Sequence, residues 1–214
     1  KLHEDDSRAM CCRLQLSVKK MMKHTGGLFG NGDNTGSIGV VTLNLPIARD
    51  IMQKHPTGNF FRLFMDEVFK YCDMAKVALL EKRKMVLDLL NKGLFPFTSK
   101  YMFDNMAHVE DFETHFSTIG YLGMHEALYI LGYPEGIISQ EGHDAGMVIL
   151  DELRERLESY YEETDKLFNL EATPAESAAY RLARKAKQLY PDIYHAGSQD
   201  NPYFTNSCHL PVQY

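Results

Sequence analysis

Ser37-Ile38-Gly39-Val40-Val41-Thr42-Leu43-Asn44-Leu45-Pro46 is an almost unbroken run of β-branched and apolar residues. A run of this kind, without polar alternation, reads as a strand covered on both faces, as in a parallel α/β sheet or barrel. Residues 116–122, Phe-Ser-Thr-Ile-Gly-Tyr-Leu, form a second such run and lead into a helix over 124–131 that stops at Gly132. Between the two runs, residues 59–91 carry the longest helical pattern. Phe60, Leu63, Phe64, Val68, Tyr71, Ala75, Leu79, Val86 and Leu90 recur at three- and four-residue steps, and Gly93 supplies the stop. A further amphipathic helix is expected from about Asp144 to Glu163. A short strand follows over 166–172, and then a helix opened by Pro174 at its favoured first-turn position and running to about Leu189. Residues 207–212 read as a fourth strand, and residues 10–16 as a strand or an ordered loop. Strand and helix alternate, which predicts α/β architecture with a parallel or barrel-like sheet.

Composition bounds the function. With 214 residues, 44% hydrophobic and 24% charged, the chain has the make-up of a globular domain and not of a disordered or collagenous segment. The net charge is −6 and Lys and Arg are scattered, which argues against nucleic acid as a partner. No apolar stretch approaches the roughly 18 residues of a membrane span, so no membrane association is expected. Four cysteines without a secretory segment do not make a disulfide framework, and a cytoplasmic location is the expectation.

Several stretches could carry chemistry. At Leu170-Glu171-Ala172-Thr173-Pro174-Ala175-Glu176-Ser177 a strand ends and a helix begins, with small residues that leave backbone N–H groups open. Such a turn suits a phosphate through its free N–H groups and the helix dipole. On local sequence alone the simpler reading is an ordinary cap, in which Thr173 and Glu176 form a capping box. The Gly-rich segment 26–36 lacks GxGxxG and the P-loop lysine, and reads as a structured turn feeding the strand behind it. Cys11 and Cys12 are adjacent and no CxxC exists, so the chain offers no zinc signature; Arg13 and the lysines downstream would favour a thiolate. Cys72, inside the long helix, reads as a small buried hydrophobe. Cys208 lies between Ser207 and His209 near a strand end, where α/β sheets place their sites. His125-Glu126 reads as a capping pair, and Lys82-Arg83-Lys84 as a solvated helix face.

Together these blocks are far more specific than any one of them. Cys11-Cys12-Arg13-Leu14-Gln15-Leu16, Gly27-Leu28-Phe29-Gly30, the strand from Ser37 to Pro46, the stretch 116–127, Asn169-Leu170-Glu171-Ala172-Thr173-Pro174-Ala175-Glu176 and the segment 196–212 resemble the anaerobic (class III) ribonucleotide reductases. They occur in that family's order and cover nearly the whole chain.

The resemblance implies a ten-stranded α/β barrel of the glycyl-radical enzyme type, with a finger loop that carries a cysteine to its centre. That cysteine becomes a thiyl radical, abstracts the ribose 3′ hydrogen and starts reduction of a ribonucleotide, expected to be a triphosphate, to its deoxy form. The family's cysteine directly precedes Arg, which makes Cys12 the candidate and Cys11 the fallback. The turn holding Thr173, Pro174, Ala175, Glu176 and Ser177 corresponds to where the family docks substrate phosphates, with Glu176 turned away; Asn44 and Asn206 are further candidates for substrate binding. Formate-dependent members carry Asn where this chain has Ser37, and many carry Thr where it has Cys208. Both departures point to a thiol reductant in place of formate, with Cys208 either its redox partner or a residue of barrel packing.

Other parts expected of the family have no counterpart here. These are the glycyl radical loop, the four-cysteine zinc module and the N-terminal ATP-binding region. The 214 residues are therefore expected to be a fragment of a single catalytic barrel domain, inactive alone. The complete enzyme would be a homodimer that depends on an activase using S-adenosylmethionine and an iron–sulfur cluster. Two other readings stand beside this one: a pyruvate formate-lyase-like glycyl-radical enzyme, and a non-catalytic nucleotide-binding remnant.

Overall fold

The computed structural model describes residues 7–10, 13–17, 36–55, 57–104 and 108–210. In chain order these form β1 (Ser7–Met10), β2 (Arg13–Ser17), β3 (Gly36–Asn44), a 3-10 turn (Leu45–Ile47), α1 (Ala48–Lys54), α2 (Phe60–Asn91) and α3 (Pro96–Met102). Then come β4 (His115–Leu122), α4 (Met124–Ile130), a 3-10 turn (Gly136–Ile138), α5 (Gln140–Thr164), β5 (Phe168–Ala172), α6 (Glu176–Leu189), β6 (Ala196–Gly197) and β7 (Pro202–Tyr203). Strands β1 and β2 pair antiparallel, Ser7 opposite Ser17 and Met10 opposite Arg13.

The central sheet is parallel in the order β3-β4-β5. Val41 pairs with Ile119 and Ile119 with Leu170, so each strand returns through a helical crossover, as the alternating pattern predicts. One face of the sheet is apolar. Leu43 and Ile119 are buried there, and Val41, Tyr121, Phe168 and Leu170 pack beside them against α2 and α5. Alternation places Val40, Thr42, Thr118, Gly120, Asn169 and Glu171 on the opposite face. Strand β4 is buried almost throughout. Strand β3 departs from expectation, since it borders the sheet on one side only and leaves Val40 44% exposed.

Helices α2 and α5 lock together through a buried seam of Phe64, Val68, Cys72, Leu79, Ile149, Leu153 and Tyr160. Beside it, the Asp73 carboxylate accepts from Arg156 Nη2 at 2.7 and 2.6 Å and from the Tyr160 hydroxyl at 2.6 Å. Burial pushes the Cys72 thiol up to about 12, so it is inert packing, as read from the sequence. Asn59 caps α2 by accepting from Arg62 N at 3.1 Å.

The basic run at 82–84 does not form the solvated face expected of it. Lys84 is exposed and pairs with Glu81 at 2.7 Å, whereas Arg83 is 3% exposed. Its guanidinium donates to the carbonyls of Phe112 at 2.8 Å and His115 at 2.7 Å, and lies 3.5 Å from Asp111, which also pairs with Lys166 at 2.7 Å. Arg83 thus pins the entry of β4 to α2. The planar fork serves the two carbonyls from two separate nitrogens, a geometry that the single nitrogen of a lysine does not reproduce.

Burial, together with the nearby Arg83 charge, lowers His115 to about 4. The folded state therefore prefers the neutral ring. Its contribution to stability is complete above pH 6.5 and declines as pH falls from 6.5 toward 4, where the folded form also takes up the proton. Urea denaturation across that range should show a loss of up to roughly 3 kcal/mol that a His115→Gln variant lacks. An identical pH slope in both proteins would contradict the assignment.

Candidate active site

In parallel α/β sheets ligands bind beyond the carboxyl ends of the strands. Here that edge is formed by Asn44, Leu122-Gly123 and Ala172-Thr173, and it is covered by the segment 204–210 and the start of α6. Gly123 turns the chain from β4 into α4 with φ +75, and a side chain on it would collide with Pro46, which follows β3. The Gly123 N–H donates to Thr205 O at 2.6 Å, and Ser207 N donates to Thr173 O at 3.5 Å. Glu126, fully buried on α4, accepts from Thr205 N at 3.1 Å and Thr205 Oγ1 at 2.7 Å. Burial raises its pKa. The His125-Glu126 pair is thus no helix cap. Glu126 anchors the 204–206 strap, and His125 is buried with Nε2 3.1 Å from the Tyr194 hydroxyl.

The turn at 173–177 differs from the capping box read from sequence. Helix α6 starts at Glu176, two residues after Pro174, and its N-cap is Ala175 with no side-chain cap. The Thr173 hydroxyl points back at the sheet instead, accepting from Thr42 Oγ1 at 3.2 Å and donating to Tyr121 O at 3.4 Å. Among the described residues the first-turn N–H groups of α6 are therefore left without an intrahelical or side-chain acceptor, at the positive end of the helix dipole. Glu176 and Ser177 are exposed. Gly120 makes room for Thr173, because a Cβ at 120 would run into Thr173 Oγ1. Gly120→Ala is accordingly expected to cost about 1–3 kcal/mol by overpacking, read as a lower denaturation midpoint; an unchanged midpoint would contradict this packing.

Asn206 does not lead into a strand. Its Oδ1 accepts from Cys208 N at 3.0 Å and His209 N at 3.1 Å, and its Nδ2 donates to Phe204 O at 3.3 Å. The described part of the expected fourth strand is therefore a turn built around a buried asparagine. Cys208 is exposed on that turn. Behind it, a largely apolar cavity of about 310 Å³ is lined by Tyr121, Met124, Met147, Leu150, Asn206 and Leu210, among others.

Ser37 lies at the opposite end of the polar sheet face. Its Oγ is 2.8 Å from Thr118 Oγ1, which donates to Asn169 Oδ1 at 2.9 Å. Asn44 sits at the carboxyl end of β3, and its Oδ1 is buried with no hydrogen-bond partner among the described residues. Thr42, Thr118, Asn169 and Glu171 on this face were not singled out from sequence, because polar residues inside apolar runs give no sign of which face they share until the register is known. The readings of Cys11 and Cys12, and of residues 26–35 of the Gly-rich segment, fall outside the described residues. Among the described residues no three His, Cys, Asp or Glu side chains are grouped to hold a metal, and no helix is long and apolar enough to cross a membrane.

Comparison with known proteins gives this arrangement its context. The family model described as anaerobic ribonucleoside-triphosphate reductase matches residues 1–214. The anaerobic ribonucleoside-triphosphate reductase of Salmonella typhimurium is 27% identical over 187 residues, and that of Escherichia coli 28% identical over 187. Both alignments cover 85% of this chain and 26% of the relative, so the chain spans about a quarter of their length. The anaerobic ribonucleotide reductase of Thermotoga maritima, solved with glycerol in the active site, superposes with a TM-score of 0.64 at 28% identity, covering 80% of this chain and 26% of that one. Its complex with dATP and CTP gives 0.61 at 29% identity, over 74% and 25% of the two chains. The match along the full sequence, on a parallel sheet that superposes with a reductase of this kind, establishes that the chain belongs to the anaerobic ribonucleoside-triphosphate reductase family.

Proposed function

We propose that this chain is part of the catalytic barrel of an enzyme that reduces ribonucleotides, expected to be triphosphates, to deoxyribonucleotides by thiyl-radical chemistry. The observation that carries the reading is the family match over residues 1–214, joined to a parallel sheet whose carboxyl edge ends in an uncapped helix. The three parallel strands would be part of a ten-stranded barrel, with the polar face of β3-β4-β5 turned inward. That orientation accounts for the exposure of Val40, which further strands would cover.

Within that barrel the substrate phosphates would dock on the turn at Thr173, Pro174, Ala175, Glu176 and Ser177. Free N–H groups and the helix dipole favour an anion there, and the Ser177 hydroxyl is placed to add a donor. Thr173 has a different part, since its hydroxyl is spent on the sheet and fixes the turn. Asn44, level with Thr173 at the carboxyl edge, offers an unpartnered acceptor to the nucleotide beside that turn. Asn206 would act indirectly, by shaping the turn that carries Cys208.

Cys12, with Cys11 as the alternative, would hold the reacting sulfur. A glycyl radical, located elsewhere in the complete protein and formed by an activase using S-adenosylmethionine and an iron–sulfur cluster, would supply the oxidising equivalent. The cysteine sulfur would take the hydrogen atom from ribose C3′, forming S–H and leaving the radical on C3′; the 2′-hydroxyl on the neighbouring carbon would then take up a proton and leave as water as the C2′–O bond breaks. The two reducing electrons would come from a thiol donor acting through Cys208 or from formate, Ser37 standing where formate-dependent relatives carry Asn. Zinc, a homodimeric assembly and a cytoplasmic location belong to the same proposal for the complete protein.

A carboxylate at the turn tests the phosphate site. In the full-length enzyme, Ser177→Glu should stabilise α6 yet repel phosphate, raising KM for the nucleotide about tenfold or more. Unchanged KM would remove the turn from the binding site. Nucleotide-dependent thermal stabilisation of the intact enzyme would separate this reading from a pyruvate formate-lyase-like one, whose substrates carry no phosphate chain.

A further inference from the structure

We infer that Asn169 is a positioning residue for the ribose of the bound nucleotide, held in orientation by Thr118. The inference rests on the nucleotide reading above and deepens it.

Three polar side chains cross the three parallel strands in one line. Thr118 Oγ1 donates to Asn169 Oδ1 at 2.9 Å, and Ser37 Oγ lies 2.8 Å from Thr118 Oγ1. Thr118 directs its hydroxyl hydrogen toward Asn169, while the Ser37 hydroxyl lies within reach of both Thr118 Oγ1 and the Gly39 carbonyl, to which it donates at 3.2 Å. Thr118 is fully buried, which shields its bond to Asn169, while Ser37 sits at the exposed end of the row. The register sets Thr118 directly opposite Asn169, while Ser37, opposite Phe116, reaches Thr118 diagonally beside the irregularity between Ser37 and Gly39.

The consequence falls on the far end of Asn169. With Thr118 Oγ1 donating to its Oδ1, the carboxamide presents Nδ2 on the side away from Thr118. Its Nδ2 is buried and has no hydrogen-bond partner among the described residues. Burying an unpaired amide N–H is costly, and a native fold rarely keeps such a group without a purpose. The donor lies on the polar face of the sheet, four residues before Thr173 on the same strand. At about 3.3 Å per residue that is roughly 13 Å below the phosphate turn. This is the order of the reach from the terminal phosphate of a nucleoside triphosphate to its sugar. A ribose hydroxyl offers the acceptor that Nδ2 lacks, and the bond from Thr118 fixes the direction from which it is approached.

The test uses the full-length enzyme, activated anaerobically, with a ribonucleoside triphosphate as substrate. Asn169→Ala and the isosteric Asn169→Asp should each lower kcat about ten- to a hundredfold, because a misplaced sugar loses alignment with the sulfur. The glycyl radical signal and the nucleotide-induced rise in Tm, which reports the phosphate end, should stay at wild-type levels. Thr118→Val should reproduce a large part of the kcat loss, and Thr118→Ser, which keeps the hydroxyl, should restore it. Wild-type kcat in Asn169→Asp, or kcat losses that merely track a lower radical yield, would overturn the inference. Absence of any nucleotide-induced shift in the wild type would instead overturn the nucleotide reading on which it rests.

Discussion

Cys12→Ala in the full-length enzyme is expected to abolish deoxynucleotide formation, while radical generation and nucleotide binding survive. The reason is chemical. Hydrogen abstraction from a ribose carbon needs a sulfur radical of matched bond strength, and no other side chain at that position supplies one. Cys12 directly precedes Arg13, where β2 begins, and β2 returns antiparallel to β1 with Arg13 opposite Met10. Cys11→Ala is expected to retain most activity, since neighbouring side chains point in different directions. Product analysis after anaerobic activation of both variants checks this pair. Activity in Cys12→Ala together with none in Cys11→Ala would move the reacting sulfur by one residue.

The second large effect concerns stability. Arg83→Ala is expected to cost about 3–5 kcal/mol, because it strips two buried carbonyls of their donor and leaves Asp111 half-paired. Lys84→Ala, one residue on, should lie within about 0.5 kcal/mol of wild type, its pair with Glu81 being solvent-exposed. Arg83→Lys should recover only part of the loss, since one ammonium cannot bridge the Phe112 and His115 carbonyls in the same way. Chemical denaturation of the three variants side by side measures the contrast. Equal effects at 83 and 84 would return the basic run to the solvated role its sequence suggests.

That contrast shows what the sequence holds and what it withholds. The runs at 37–46 and 116–122 and the helical period over 59–91 were readable because burial imposes a local pattern on neighbouring residues. Helix α5 begins four residues before its expected start, since Ser139 caps it by accepting from Gly142 N at 3.1 Å. Arg83 was misread because its partners, the carbonyls of Phe112 and His115, lie about thirty residues away, and no local pattern encodes them. Thr173 was read as a cap for the same reason. Its competing partners, Thr42 and Tyr121, belong to other strands and became visible only with the register. The expected strand at 207–212 gave way to a turn, where Asn206 satisfies two backbone N–H groups at once. The short helix α3, with its stacked Phe97 and Tyr101, was missed because its outward aromatics leave no amphipathic period. Of the site itself, the roles of the turn at 173–177 and of Cys12 rest on family resemblance and stand as proposals. The line from Ser37 through Thr118 to Asn169 required three strands to be set side by side.

The central claim is that this chain forms part of a barrel in which a cysteine thiyl radical attacks a ribonucleotide. The most direct measurement is electron paramagnetic resonance on the full-length gene product after anaerobic activation, followed by addition of a ribonucleoside triphosphate. The account predicts a glycyl radical doublet, with deoxynucleotide formed in wild type and none in Cys12→Ala despite an equal radical signal. Absence of the radical in the wild type, or deoxynucleotide formed equally with and without the Cys11 and Cys12 thiols, would contradict it.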